Sequence, residues 1–450
     1  MPRLFSLCRV PARTRRPPLV ALTWCAVTAG TVAAQGTAPT PLPRATPEAV
    51  GMSSEALTRA TAQLQAHVAA GHVAGVVAAV MRDGRLVYQV ALGVRDVAAG
   101  DPMRVDALFR LYSMTRPITS TAILMLHDEG RLHVNDPLSK WLPAFAEQQV
   151  LLDARATGRN TTEGGAPIVP PSRPRVGDIT IAQLLTHTSG IGSRSAPLYV
   201  SHGVHRWDRS LTDVVNGVAA LPLFEDPGTR FRYGMHTEVL GRVIEVASGQ
   251  PVETFLQERI FAPLGMRDAG FRVSPDRAGR LATVHRADGE GRLRAHVMEP
   301  LDVTDDRRLV SAGVGLVAST EDMLRFGQLF LDEGMVEARR LLSPNAVRMA
   351  GENAVPNALL PLPGGGYWGG SGWSLGGFAV ALDPARYDHP VRRGEFWWDG
   401  SAGTRFWIDP VERLVIVVQA QIAPAGGGGF REEFRAAVEA ALVVRRGEGR

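Results

Sequence analysis

The sequence predicts an α/β protein of the α+β type: one antiparallel sheet built from both chain ends, flanked by helices, with a mainly helical domain inserted between them. Three observations lead there. Near the N-terminal end, apolar runs at 76–81 and 86–91 flank Arg82-Asp83-Gly84-Arg85, whose Asp-Gly pair is a two-residue hairpin signal. Near the C-terminal end, residues 396–398, 404–408 and 414–419 alternate or run apolar, with Asp409-Pro410 marking a turn. Between these ends the patterning is mostly of helical period.

The elements follow in order. Residues 35–50, rich in Pro, Thr and Ala, read as a linker. Helical periodicity runs from Ser53 to Ala70. Residues 113–128 are almost wholly apolar beyond their first turn, which predicts a buried central helix ending at Gly130. Shorter helices are expected at 179–186 and at 238–247, the latter closed by Ser248-Gly249. Segments 151–177 and 360–372, dense in Gly and Pro, read as long surface loops of the kind that often line sites. A last helix over 430–444 puts Phe430, Phe434, Val438 and Ala441 on one stripe. The domain therefore covers 51–450, with a sheet subdomain at 51–112 and 310–450 and a helical one at 113–309.

The first 34 residues read as a secretory leader. Five arginines precede an apolar run from Leu19, and the small residues Val32-Ala33-Ala34 offer a cleavage site. An exported location, periplasmic or secreted, follows as an expectation, with no stable membrane insertion once the leader is gone. The chain carries 49 basic and 45 acidic residues, so losing five arginines and no acids leaves 44 against 45. Nucleic-acid binding thereby loses its electrostatic basis. Both cysteines, Cys8 and Cys25, lie in the leader, which excludes disulfides, cysteine–metal sites and cysteine nucleophiles from the remainder.

The candidate chemistry begins at Ser113-Met114-Thr115-Arg116. Positions i and i+3 share a helix face, so hydroxyl and cation are neighbours at the start of an apolar helix, where the dipole favours an anion. Two further segments join it: Phe231-Arg232-Tyr233-Gly234-Met235, leading into a helix, and Trp397-Trp398-Asp399-Gly400-Ser401-Ala402-Gly403 on a strand and turn. In this order and spacing, supported by Leu184-Leu185-Thr186-His187-Thr188-Ser189-Gly190, Asn135-Asp136-Pro137-Leu138 and Gly313-Val314-Gly315-Leu316, they resemble the serine β-lactamase and penicillin-binding-protein family. The nearest branches are the class C β-lactamases and family VIII carboxylesterases. The resemblance spans roughly residues 48 to 445 and implies a β-lactamase/transpeptidase-like fold.

It also implies roles. Ser113 is the expected nucleophile, Tyr233 the expected general base, and the backbone N–H groups of Ser113 and Ser401 the expected oxyanion hole. Trp398, Asp399 and Gly400 are the expected substrate-binding residues. The family's S-x-x-K has become S-x-x-R, and a guanidinium cannot act as a base. Arg116 is therefore left with one role, holding the phenolate. A charge about 4 Å from the Tyr233 oxygen, at an effective dielectric near 20, is worth roughly 4 kcal/mol and moves a phenol towards 7 before desolvation opposes it.

The expected function is an exported serine hydrolase cleaving carboxyl esters through an acyl-Ser113 intermediate, on a small-molecule ester or acyl substrate, with no cofactor and no metal. Met235 and Trp398-Asp399 replace the polar groups that receive a lactam side chain and carboxylate in the family. A β-lactamase or D-alanyl peptidase is the first alternative, with Arg405 as a carboxylate-recognising group. A silent ligand-binding member is the second, because of Arg116.

Other motifs receive structural readings. Gly372-Trp373-Ser374-Leu375-Gly376 matches G-x-S-x-G, but an apolar strand rather than a helix follows, so Ser374 reads as a loop residue. His202, His205 and Asp208 read as exposed loop residues, not metal ligands. His187 is expected to brace a turn, and His236 to border the pocket. Asn160-Thr161-Thr162 is a glycosylation sequon.

Overall fold

In the computed structural model, alternating strands at both chain ends close on one another. The structure describes residues 40–155, 167–298, 303–305, 308–363 and 367–446. The leader, linker residues 35–39 and the Asn160 sequon lie outside the described residues. The strands are β1 (Gly75–Arg82), β2 (Arg85–Asp96), β3 (Asp101–Pro102), β4 (Ser371–Trp373), β5 (Ala379–Ala381), β6 (Phe396–Asp399), β7 (Thr404–Asp409) and β8 (Leu414–Ala420). They form one eight-stranded sheet in the order β4-β5-β6-β7-β8-β1-β2-β3, antiparallel throughout. The chain ends meet where β1 pairs with β8, Val76 opposite Ala420 and Arg82 opposite Leu414. Both central strands are buried along their whole length, hence their continuous apolar runs. Asp83 and Gly84 both take positive φ, 55° and 70°, as the predicted two-residue hairpin turn requires.

Five helices position the site: α1 (Ser54–Ala69), α2 (Thr115–Asp128), α3 (His236–Ser248), α4 (Thr320–Leu331) and α5 (Phe430–Ala440). Helix α1 packs on α5 over one sheet face, while α4 packs on β1, β7 and β8 from the other. On that second face Phe330 meets Phe378 and Phe396 edge-on, and Phe326 contacts Phe406. Helix α2 is buried from Thr115 through Leu126 and packs on α3. The described residues from Pro41 onward form one compact unit. Among the described residues no helix is long and apolar enough to cross a membrane.

Several boundaries differ from expectation for identifiable reasons. The second half of the predicted linker is packed: Arg44 bridges Leu86, and Glu48–Val50 forms a 3-10 turn. The last helix stops at Ala440 because Val443 and Val444 donate instead to the carbonyl of Gly51. The predicted 151–177 loop is zipped at its ends, where Gln149–Leu151 pairs with Ser172–Pro174. Thr180 starts its short helix with a capping box to Gln183.

Candidate active site

Ser113 lies in a 3-10 turn, Tyr112–Met114, that runs directly into α2. The approach to it is pinned. Leu108–Arg110 pairs with Val317–Ser319, and the Leu111 N–H donates to Leu316. Tyr112, buried, holds a positive φ of 46°, a left-handed conformation costing about 1–3 kcal/mol and found preferentially at functional positions. The turn joining β6 to β7 lies against the same segment. A Cβ on Gly400 would sit 2.3 Å from the Leu111 carbonyl oxygen and 2.3 Å from Thr404 Oγ1, so only glycine lets the strand end come this close.

Tyr233 arrives from the helical side, just before α3. Its neighbour Gly234 abuts the Gly192 carbonyl, with a virtual Cβ at 2.3 Å, and the Met235 N–H donates to that same carbonyl. The phenol ring is walled by Trp398 at 5.5 Å, Trp368 at 6.0 Å, Trp373 at 6.0 Å and His187 at 4.7 Å. Its hydroxyl is buried without a hydrogen-bond partner among the described residues, as is the Trp398 indole N–H. Ser113 and Trp398 both lie near enough to act on the phenol oxygen, although neither makes a hydrogen bond of ordinary geometry to it.

Arg116 is buried and occupies the space beneath this ring. One Nη donates to the Gly234 carbonyl at 2.8 Å and to Thr237 Oγ1 at 2.9 Å. The guanidinium carbon sits over the Tyr233 ring, 4.3 Å from its centroid, a cation–π contact rather than an end-on approach to the oxygen. The expected fall of the phenol towards 7 is thereby corrected. Burial is the largest influence and pushes Tyr233 above its ordinary value, with Asp399 adding to it; Arg116, the Ser113 hydroxyl and the Trp398 N–H pull the other way and do not win.

Of the predicted substrate contacts, Trp398 faces the site, but Asp399 does not. Side chains alternate along β6, so Asp399 shares the opposite face with Trp397. There it accepts from Arg431 Nη1 of α5 at 3.1 Å. Arg405, opposite Asp399 in register, is stacked over Trp397 and Trp407 at 3.9 and 4.8 Å and paired with Glu432. It is thus committed to the α5 layer and does not offer a carboxylate site. Gly400 acts through close approach, having no side chain to bind with. Ser401 is exposed on the turn, and its backbone N–H donates to no partner among the described residues.

Two neutral histidines complete the surroundings. His187, at positive φ 56°, packs edge-on against His236 at 4.5 Å and Trp373 at 5.1 Å. Burial, with Arg116 nearby, lowers both, His236 to about 3. The sequence offered His187 as a turn brace and His236 as a residue bordering the pocket, but gave no sign of Glu238, a buried carboxylate two residues further into α3. His205, expected to be exposed, is nearly buried, with Nε2 3.8 Å from Glu238 Oε1. Ser374 is a loop residue whose Oγ accepts from the Phe378 N–H. Among the described residues no group of three or more His, Cys, Asp or Glu side chains is arranged to hold a metal.

Comparison with known proteins identifies the family and the fold. The family model described as Beta-lactamase matches residues 60–441. Protein Rv1367c of Mycobacterium tuberculosis is 34% identical over 366 residues, covering 79% of this chain and 87% of its own. Esterase EstB of Burkholderia gladioli is 31% identical over 383 residues, covering 79% and 88%. Among solved structures, EstCE1, described as a hydrolase with promiscuous acyltransferase activity, superposes with a TM-score of 0.71 at 23% identity, over 85% of this chain and 98% of its own. That last likeness speaks to fold alone.

Proposed function

The chain belongs to the Beta-lactamase family, and from that premise we propose that it is an exported serine hydrolase cleaving carboxyl esters through an acyl-Ser113 intermediate. In this reading Ser113 Oγ attacks the acyl carbon as its proton passes to the ionised Tyr233 oxygen. The carbonyl oxygen becomes an oxyanion facing the N–H groups of Ser113 and Ser401. Collapse expels the alcohol oxygen, which takes the proton back from Tyr233. A water molecule then repeats the sequence on the acyl-serine, giving the acid and free Ser113. Arg116, over the ring, offsets the cost of the transient phenolate.

One observation carries the reading: a buried phenol beside Ser113 whose oxygen is unpartnered and whose ring face lies over a buried guanidinium. The aromatic walls and the pairing of Asp399 with Arg431 favour a neutral, partly apolar ester. A β-lactamase or D-alanyl peptidase loses its candidate carboxylate receptor, since Arg405 is paired with Glu432. The upward shift of Tyr233 favours the silent alternative, in which the cleft binds an acyl ligand without turnover. Rates on a short-chain nitrophenyl ester and a chromogenic cephalosporin separate the three. Ester turnover abolished by Ser113→Ala is the expected result; faster lactam turnover, or turnover of neither, would reject it.

A further inference from the structure

Arg116 is a buried cation whose guanidinium hydrogen bonds go to neutral oxygens, those of Gly234 and Thr237. An unbalanced charge at that depth is costly, so the surrounding groups matter. The carboxylate that faces it is Glu238, on the first turn of α3. A Cβ built on Gly313 would lie 3.0 Å from Glu238 Oε1 and 3.7 Å from an Arg116 Nη, so the two charges look at each other across the space that this glycine leaves empty.

Glu238 is not loose. Ser311 Oγ donates to its Oε1, and the same hydroxyl accepts from the Val314 N–H at 3.3 Å, which fixes the 311–314 turn around the carboxylate. His205 Nε2 lies 3.8 Å from the same Oε1, while Glu238 Oε2 has no partner among the described residues. The next residue back, Thr237, receives an Arg116 hydrogen bond. Adjacent residues of one helix turn therefore seat the guanidinium and balance its charge.

We propose that Glu238 is a positioning residue for Arg116: held across Gly313 by Ser311, its carboxylate takes up part of the guanidinium's charge, so that less of it acts on Tyr233. The inference rests on the reading of Tyr233 as the group that takes the Ser113 proton. The other groups acting on Tyr233 are Ser113 from the turn before α2, Asp399 and Trp398 from β6, and the neutral rings of His187 and His236 beside it. Those facing Glu238 are Arg116 from α2, His205 from its loop and Ser311 from the turn after residue 310. Removing the Glu238 charge leaves Arg116 intact and unbalanced, which makes ionisation of Tyr233 easier.

The test reads Tyr233 directly. Tyrosinate absorbance is followed against pH in the full-length protein, with the matching Tyr233→Phe protein subtracted in each background. Glu238→Gln keeps an acceptor for Ser311 and is expected to lower the Tyr233 midpoint by about half a pH unit or more. The alkaline rise of ester hydrolysis should move down with it. Gly313→Ala wedges a methyl between the two charges without altering either and should shift the midpoint the same way by less. An unchanged or raised midpoint in either variant, with a melting temperature near that of wild type, overturns the proposal. Absence of ester turnover in the wild type would reject the hydrolase reading instead, because the titration is read with or without catalysis.

Discussion

Replacing Arg116 by methionine removes the charge beneath Tyr233 while keeping an apolar stem of similar length. With the guanidinium carbon 4.3 Å from the ring centroid, an effective dielectric near 20 gives about 4 kcal/mol of attraction for a charge there, and about 3 kcal/mol for one centred nearer the phenol oxygen. Those values predict a fall in kcat/KM of roughly a hundred- to a thousand-fold on a nitrophenyl ester. Two hydrogen bonds, to Gly234 and Thr237, are lost as well. Melting temperatures must therefore accompany the rates. Arg116→Lys keeps the charge but loses the stacked plane, and its loss should be no more than about tenfold. A folded Arg116→Met protein within about threefold of wild type would refute the electrostatic role, and so would a lysine variant as impaired as the methionine one.

Further outcomes follow from the same geometry. Because burial holds the Tyr233 proton above the ordinary phenol range, kcat/KM should climb by about tenfold per pH unit from neutrality past pH 10; a plateau below pH 8 would exclude a phenolate base. His236 is lowered to about 3 by burial, so its contribution to stability is present above the ordinary histidine value and is lost as the pH falls from there towards 3. Urea midpoints at pH 7 and pH 4 should show a loss on the order of 3 kcal/mol that His236→Gln reduces. Gly400→Ala drives a methyl to 2.3 Å from the Leu111 carbonyl oxygen. It should cost about 1–3 kcal/mol of stability and most of the ester activity, read by melting temperature and initial rates.

The sheet was legible because its central strands are buried on both faces and its hairpin turn carries Asp83-Gly84. Ser113, Arg116 and Tyr233 were legible as motif positions, and Trp398 as part of a strand. What one-dimensional pattern did not convey was direction. Asp399 and Trp398 are neighbours in sequence, yet strand alternation sends one to α5 and the other to the phenol. Distance alone predicted that Arg116 would lower Tyr233; burial, a property of the walls at Trp368, Trp373 and Trp398, reversed the balance. Glu238 gave no signal, since a carboxylate in the first turn of a helix is an ordinary surface feature until Ser311 and Gly313 fold over it.

The account stands most directly on Ser113 being a nucleophile. Residues 35–450 treated with a fluorophosphonate and digested for mass spectrometry should carry a single adduct on the peptide containing Ser113, absent after Ser113→Ala. A protein that hydrolyses esters yet is labelled at Ser374, or that hydrolyses them with Ser113 unlabelled, would contradict it.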